Sequence, residues 1–162
     1  MDEEPKQMVT RGALELLSTI TGKHERWYRY PCTAAWYETE RIPLRSFTHY
    51  FAELQSKLNL DVSTWVYAII FLDRVFQARV PFTLLSRHTL LLSALYAARR
   101  WVAVDRDKAS LFWMFGGIDA AQCMQWEKQF CKLMGERWHV GTTQFDHYSQ
   151  LILSSLCQQN EE

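Results

Sequence analysis

Trp65-Val66-Tyr67-Ala68-Ile69-Ile70-Phe71-Leu72, followed at once by Asp73-Arg74, decides the fold. Eight apolar residues in a row leave no polar face, so a helix built from them must be surrounded by other elements. Leu90 to Ala98 repeats the situation: it is apolar on every side except Ser93 and closes on Arg99-Arg100-Trp101. Few helix breakers fall between residues 44 and 115, and the apolar spacing there has the helical period rather than the alternation of a strand. The expected fold is all-α, with two central helices.

Working outward, the remaining segments read as amphipathic cover. Leu44, Phe47, Phe51, Leu54 and Leu58 follow Pro43 at steps of three and four, one apolar stripe on a helix. Asp61 or Ser63 is placed to cap the first central helix and Ser86 the second. A polar loop, Asp105 to Lys108, precedes a short aromatic helix from Ala109 to Phe115 and the stop Gly116-Gly117. Asp119 and Gln122 have the capping-box spacing. They open a helix with Cys123, Phe130 and Met134 on its stripe, Trp126 and Leu133 beside it, and Gly135 at its end. Thr142 or Thr143 caps a last helix carrying Phe145, Tyr148, Ile152 and Leu156. At the N-terminus, Val9 to Ile20 forms a short amphipathic helix ending near Gly22, and Lys23 to Arg41 reads as an irregular aromatic strap.

Composition removes whole classes of function. Lys plus Arg is 18 and Asp plus Glu is 18, a formal net charge of +0, so no global field attracts a nucleic acid. The longest apolar run is eight residues, against roughly 20 for a membrane-spanning helix. Asp2, Glu3 and Glu4 reverse the charge that starts a secretory signal, so an intracellular protein, in cytoplasm or nucleus, is expected. Cys32, Cys123, Cys131 and Cys157 form no C-x-x-C pair and read as ordinary thiols. On one helix Cys123 and Cys131 would lie about 12 Å apart, too far to bridge or share a metal. Aromatics reach 14% of the chain, with 7 Trp, which suits either a large core or an adhesive interface.

No catalytic motif is present: there is no G-x-G-x-x-G, no G-x-x-x-x-G-K, no H-E-x-x-H and no G-x-S-x-G. His24, His49, His88, His139 and His147 are scattered and suit surface or helix-end positions. No enzyme activity, cofactor or metal is expected. What stands out instead is charge where the pattern predicts burial. Asp73 and Arg74 end the run of eight apolar residues in the first central helix, and a buried carboxylate needs a cation or a hydrogen-bond donor. An internal charge pair fixing helix packing is the simplest role, with Arg74 and Arg45 both open as partners of Asp73. Glu127 shares a helical face with Cys123, Phe130 and Met134. Arg99 and Arg100 complement the negative end of the second central helix, an effect of about 0.3 to 1 kcal/mol.

These positions together resemble a cyclin box. The resemblance rests on Ile70-Phe71-Leu72-Asp73-Arg74, Ser86-Arg87-His88 with Leu90-Leu91, Ala98, Arg100-Trp101, Gly116-Gly117-Ile118, Glu127, Phe130, Val140, Phe145 and Tyr148. It covers about Ile42 to Leu156 and runs from Arg100 through Tyr148 without a gap. More narrowly, the chain looks like the phosphate-signalling cyclins of fungi and protozoa, called P-type or U-type in plants. Departures are Thr89 where the family has Arg, Ala103-Val104 for an acidic pair, Met124 for Asn, Met114-Phe115 for Lys-Val, and Glu53 where an Arg tends to face the second-helix Asp.

The resemblance implies a single five-helix cyclin box at residues 42–157, with an additional N-terminal helix and strap at 1–41 and a polar tail at 158–162. It also implies that the second helix bundle of the mitotic cyclins is absent. The implied role is a regulatory subunit that binds and activates a cyclin-dependent protein kinase as a heterodimer, without nucleic acid or membrane. Two family positions carry over as kinase contacts: a base late in the third box helix, here Arg100, and an acid in the fourth, here Glu127. Trp101, Phe112, Trp113 and Phe115 lie near these anchors in sequence and suit either the contact surface or the core. Two alternatives belong to other classes. A cyclin-fold adaptor in transcription would reveal itself by a salt-dependent DNA shift, and an unrelated helical enzyme would need a catalytic constellation that the chain does not display.

Overall fold

The computed structural model describes residues 5–23, 46–58, 60–78, 80, 86–102, 120–135 and 137–160. Among them are six helices and no strand: α1 (Pro5–Lys23), α2 (Phe47–Leu58), α3 (Val62–Gln77), α4 (Arg87–Val102), α5 (Ala120–Leu133) and α6 (Thr142–Asn160). The fold is all-α. The strap at 24–41, the aromatic segment at 109–115, Gly116-Gly117 and Asp119 lie outside the described residues.

The two segments without a polar face become the centre. In α3, Trp65, Val66 and Ala68 through Leu72 are buried, and in α4 Leu90 through Ala98 are buried without interruption. These helices pack on each other; α1 lies against α6, α3 and α2, α5 covers α4, and α6 also meets α3. Each amphipathic helix turns its stripe inward, as Phe47, Phe51, Leu54 and Leu58 do in α2. Burying a side chain of this size contributes roughly 1.5 to 3 kcal/mol, and α3 and α4 hold the longest runs of buried side chains. No helix among the described residues is long and apolar enough to cross a membrane.

Local chemistry sets the helix ends, and several differ from the sequence expectation. Helix α2 begins at Phe47 because Ser46 caps it, its Oγ accepting the His49 N–H at 3.2 Å. Asp61 occupies the cap position of α3 with extended backbone, but its carboxylate makes no capping bond. Ser86 precedes α4, its carbonyl accepting the Leu90 N–H at 2.9 Å. The last helix is capped by neither threonine: Thr142 is already helical, and the Gly141 carbonyl accepts the Phe145 N–H at 3.0 Å. Gly135 ends α5 with φ 67°, a left-handed conformation that glycine adopts without a Cβ penalty. Helix α6 continues to Asn160, into the stretch expected as a polar tail, and α1 starts at Pro5, where a missing N–H costs nothing.

A buried polar latch ties α2 to α3. The Trp65 indole N–H donates to Gln55 Oε1, while Gln55 Nε2 donates to the Leu60 carbonyl at 3.3 Å, and Trp65 stacks on Phe51 with ring centroids 4.4 Å apart. At the start of α4, Arg87 lies 4.9 Å over the Phe47 ring, and His88 packs against Phe47 and Tyr50.

Candidate functional site

The most distinctive polar feature on the molecular rim joins the end of α4 to the middle of α5. Arg100 Nη1 donates to both oxygens of Glu127, at 3.0 Å and 2.8 Å. Twenty-seven residues apart in sequence, the two meet because α5 packs on α4. The pair is lopsided: the Arg100 side chain is 51% exposed and that of Glu127 only 16%.

That asymmetry appears in the electrostatics. The Glu127 hydrogen bond holds the Arg100 guanidinium more firmly protonated than usual, with burial opposing and Tyr96, one turn earlier, adding to the effect. Burial pushes the Glu127 carboxyl above its ordinary pKa, and the bond to Arg100 only partly offsets this. One contact is thus favourable at its exposed end and costly at its buried end. A carboxylate held below the surface by an exposed guanidinium contributes little to folding; it presents ordered polar atoms to whatever covers the rim.

Trp101 stands beside Arg100 in sequence and is 53% exposed. Its indole stacks on Trp138, with centroids 5.8 Å apart and planes at 15°. Trp138 in turn meets the buried Phe71 ring edge-on at 5.3 Å and 85°. The exposed indole is therefore the outermost ring of a stack rooted in the core. Phe112, Trp113 and Phe115 lie outside the described residues.

The other expected charge cluster bonds within the bundle, to α6 and the connector before it. Asp73 and Arg74 do not form an ion pair with each other, because adjacent residues on a helix diverge by about 100°. Asp73 accepts a hydrogen bond from the Tyr148 hydroxyl of α6. Arg74, buried, donates through Nη1 to the Arg137 carbonyl and through Nη2 to the His139 carbonyl at 2.6 Å and to Gln144 Oε1 at 2.9 Å. Burial and the nearby Arg137 lower the Arg74 pKa, while Tyr148 and Asp73 oppose them. Tyr148 is held above its ordinary pKa, first by burial and then by the Asp73 contact, so the phenol remains a donor. Glu53, at the position where the resemblance suggests an arginine, pairs instead with Lys57 one turn on, at 3.5 Å.

Of these two partners, Tyr148 carries a signal in the sequence and Trp138 does not. Tyr148 lies on the inward stripe of α6 with Phe145 and Ile152, and a phenol there needs an acceptor just as Asp73 needs a donor. Trp138 lies in a connector without a period, and the sequence held no cue to its stacking. Among the described residues no cluster of His, Cys, Asp or Glu could hold a metal ion, and Cys131 is half-buried.

No family model matches the chain. It is similar to two curated proteins of Arabidopsis thaliana. Cyclin-U2-1 is 26% identical over 114 residues, which is 69% of this chain and 51% of that protein. The similarity supports a cyclin. Cyclin-U2-2 gives 25% identity over 114 residues, 69% of this chain and 50% of the relative. The chain spans about half the length of the curated relatives it matches.

Proposed function

We propose that the chain binds and activates a cyclin-dependent protein kinase by positioning the kinase C helix, acting as a regulatory subunit rather than as an enzyme. Arg100 and Glu127 are the polar anchors, Trp101 is their apolar neighbour, and Phe112, Trp113 and Phe115 extend the contact. The single observation that carries this reading is the rim pair itself: a half-exposed guanidinium oriented by a buried carboxylate, beside an exposed indole, in a chain similar to cyclins. Backbone groups at the end of a kinase helix are the chemistry such a pair suits, since one side donates and the other accepts.

In this role the chain performs no covalent step. It favours the kinase state in which the C-helix Glu pairs with the ATP-anchoring Lys. Moving a kinase from 1:99 to 99:1 in favour of that state takes a preference of about 5.5 kcal/mol, more than one ion pair supplies, so an apolar contact around the anchors is required. Within the cyclins, the resemblance of the motifs favours the phosphate-signalling class, and the two relatives are named Cyclin-U2-1 and Cyclin-U2-2. An intracellular heterodimer follows from the same reading.

Capture of partners on the tagged chain, followed by a histone-type kinase assay of the eluate, tests the proposal. Kinase activity is expected with the wild type and is expected to fall sharply with Arg100→Ala or Glu127→Ala. Equal recovery of kinase by all three would remove the anchor assignment, and an eluate with no kinase would remove the function. Activity that responds to phosphate supply would support the narrower class.

A further inference from the structure

The exposed indole beside the anchors is held in place by a buried residue that makes no bond to the anchors. Arg74 donates to the carbonyls of Arg137 and His139, the two residues flanking Trp138, and a third bond reaches Gln144 in α6. Phe71, one turn before Arg74 on the same helix, supplies the ring against which Trp138 rests. Helix α3 thus clamps the backbone on both sides of Trp138 and provides the floor beneath its ring. Trp101 lies nearly parallel to the Trp138 ring and is itself 53% exposed.

We propose that Arg74 is a positioning residue for partner binding, which fixes Trp138 so that Trp101 presents one ordered indole face beside Arg100 to an apolar side chain of the kinase. This inference rests on the kinase-binding function proposed above. An unsupported exposed indole would sample several rotamers, and each would have to be frozen on association; stacking on a clamped Trp138 orders the ring beforehand. Two flanking carbonyls need the planar, multi-donor guanidinium, because an ammonium offers a point charge on a flexible stem and cannot span both in one geometry.

The test uses the stacked indoles as an optical reporter. Two parallel indoles at this separation couple as excitons, and the couplet is the circular-dichroism difference between wild type and Trp101→Phe. Arg74→Met is expected to abolish it, Arg74→Lys to restore it in part, and Trp138→Leu to abolish it with Arg74 intact. Arg74→Met and Trp138→Leu are each expected to weaken kinase binding about tenfold. In a Trp101→Ala background, which has already lost the indole, neither is expected to weaken binding further. A persisting couplet in Arg74→Met, or a binding loss undiminished without Trp101, would overturn the inference. Should Arg74→Met not fold, Arg74→Lys decides by the same two readouts, and a couplet and affinity equal to wild type would overturn the inference. A wild-type chain that captures no kinase would defeat the proposed function, whereas capture by the wild type without this coupling would defeat only the role of Arg74.

Discussion

The two central helices end alike in sequence and differently in space. Asp73-Arg74 follows an eight-residue apolar run of α3, with the buried Val75 and Phe76 after it, and Arg99-Arg100 follows the buried run Leu90 to Ala98 of α4, with Trp101 after it. Arg74 is buried and saturates its guanidinium on two backbone carbonyls and a side-chain amide of the C-terminal region. Arg100 is half-exposed and bonds one carboxylate on a neighbouring helix. The neighbours make the difference: α6 and the connector before it supply the acceptors of Arg74, whereas among the described residues α5 meets the end of α4 and leaves the Arg100 side chain half-exposed. A charge near a helix end becomes a clasp where backbone acceptors close on it and an anchor where it stays half-exposed.

Removing the clasp is expected to have the largest effect on folding. Arg74→Met leaves the Arg137 and His139 carbonyls without a charged donor, and bonds of that kind contribute about 1.5 to 3 kcal/mol each. A loss of roughly 3 kcal/mol in urea unfolding is expected, and a loss under about 1 kcal/mol would mean that the clasp is replaceable. Tyr148→Phe, which removes the hydroxyl donor to Asp73, is expected to cost about 1 to 3 kcal/mol by the same measurement. The phenol stays protonated throughout the ordinary pH range, so that cost is expected not to vary as the Tyr148 side chain is taken from neutral to mildly alkaline conditions.

The anchor is expected to respond in the opposite sense. Arg100→Ala is expected to change folding stability by no more than about 1 kcal/mol, as exposed pairs do, while reducing kinase binding. Glu127→Gln has the smallest effect on folding, and its pH dependence carries the information. The Glu127 carboxyl titrates higher in the folded chain than in the unfolded one, so folding favours its neutral form. That contribution is complete below the unfolded value of about 4.3 and is lost as pH rises through the higher folded value. The stability of the wild type relative to Glu127→Gln is therefore expected to fall with rising pH across that window and to be flat on either side. A difference that grows with pH would show that the pair serves the fold.

The fold was legible where one physical rule dominates. Trp65 to Leu72 and Leu90 to Ala98 have no polar face, so burial had to follow, and the stripes of α2 and α5 could only turn toward them. Arg100 and Glu127 were legible as candidates because their charge interrupts an apolar pattern, and the resemblance connected them across 27 residues. The partners of Asp73 and Arg74 were less accessible. Two of the three Arg74 acceptors belong to residues whose side chains do not matter, since a backbone carbonyl looks the same at every position. Trp138 escaped for a related reason: its stacking depends on where a connector without a period is held, which is set by tertiary contacts. Cap positions showed the same limit, since Gly141 took the place that Thr142 or Thr143 suited equally well on propensity.

The most direct test of the division between clasp and anchor is kinase affinity set beside unfolding free energy for Arg100→Ala. The account predicts an affinity loss of about thirtyfold or more, corresponding to at least about 2 kcal/mol, with unfolding changed little. Wild-type affinity together with a large loss of stability would contradict it.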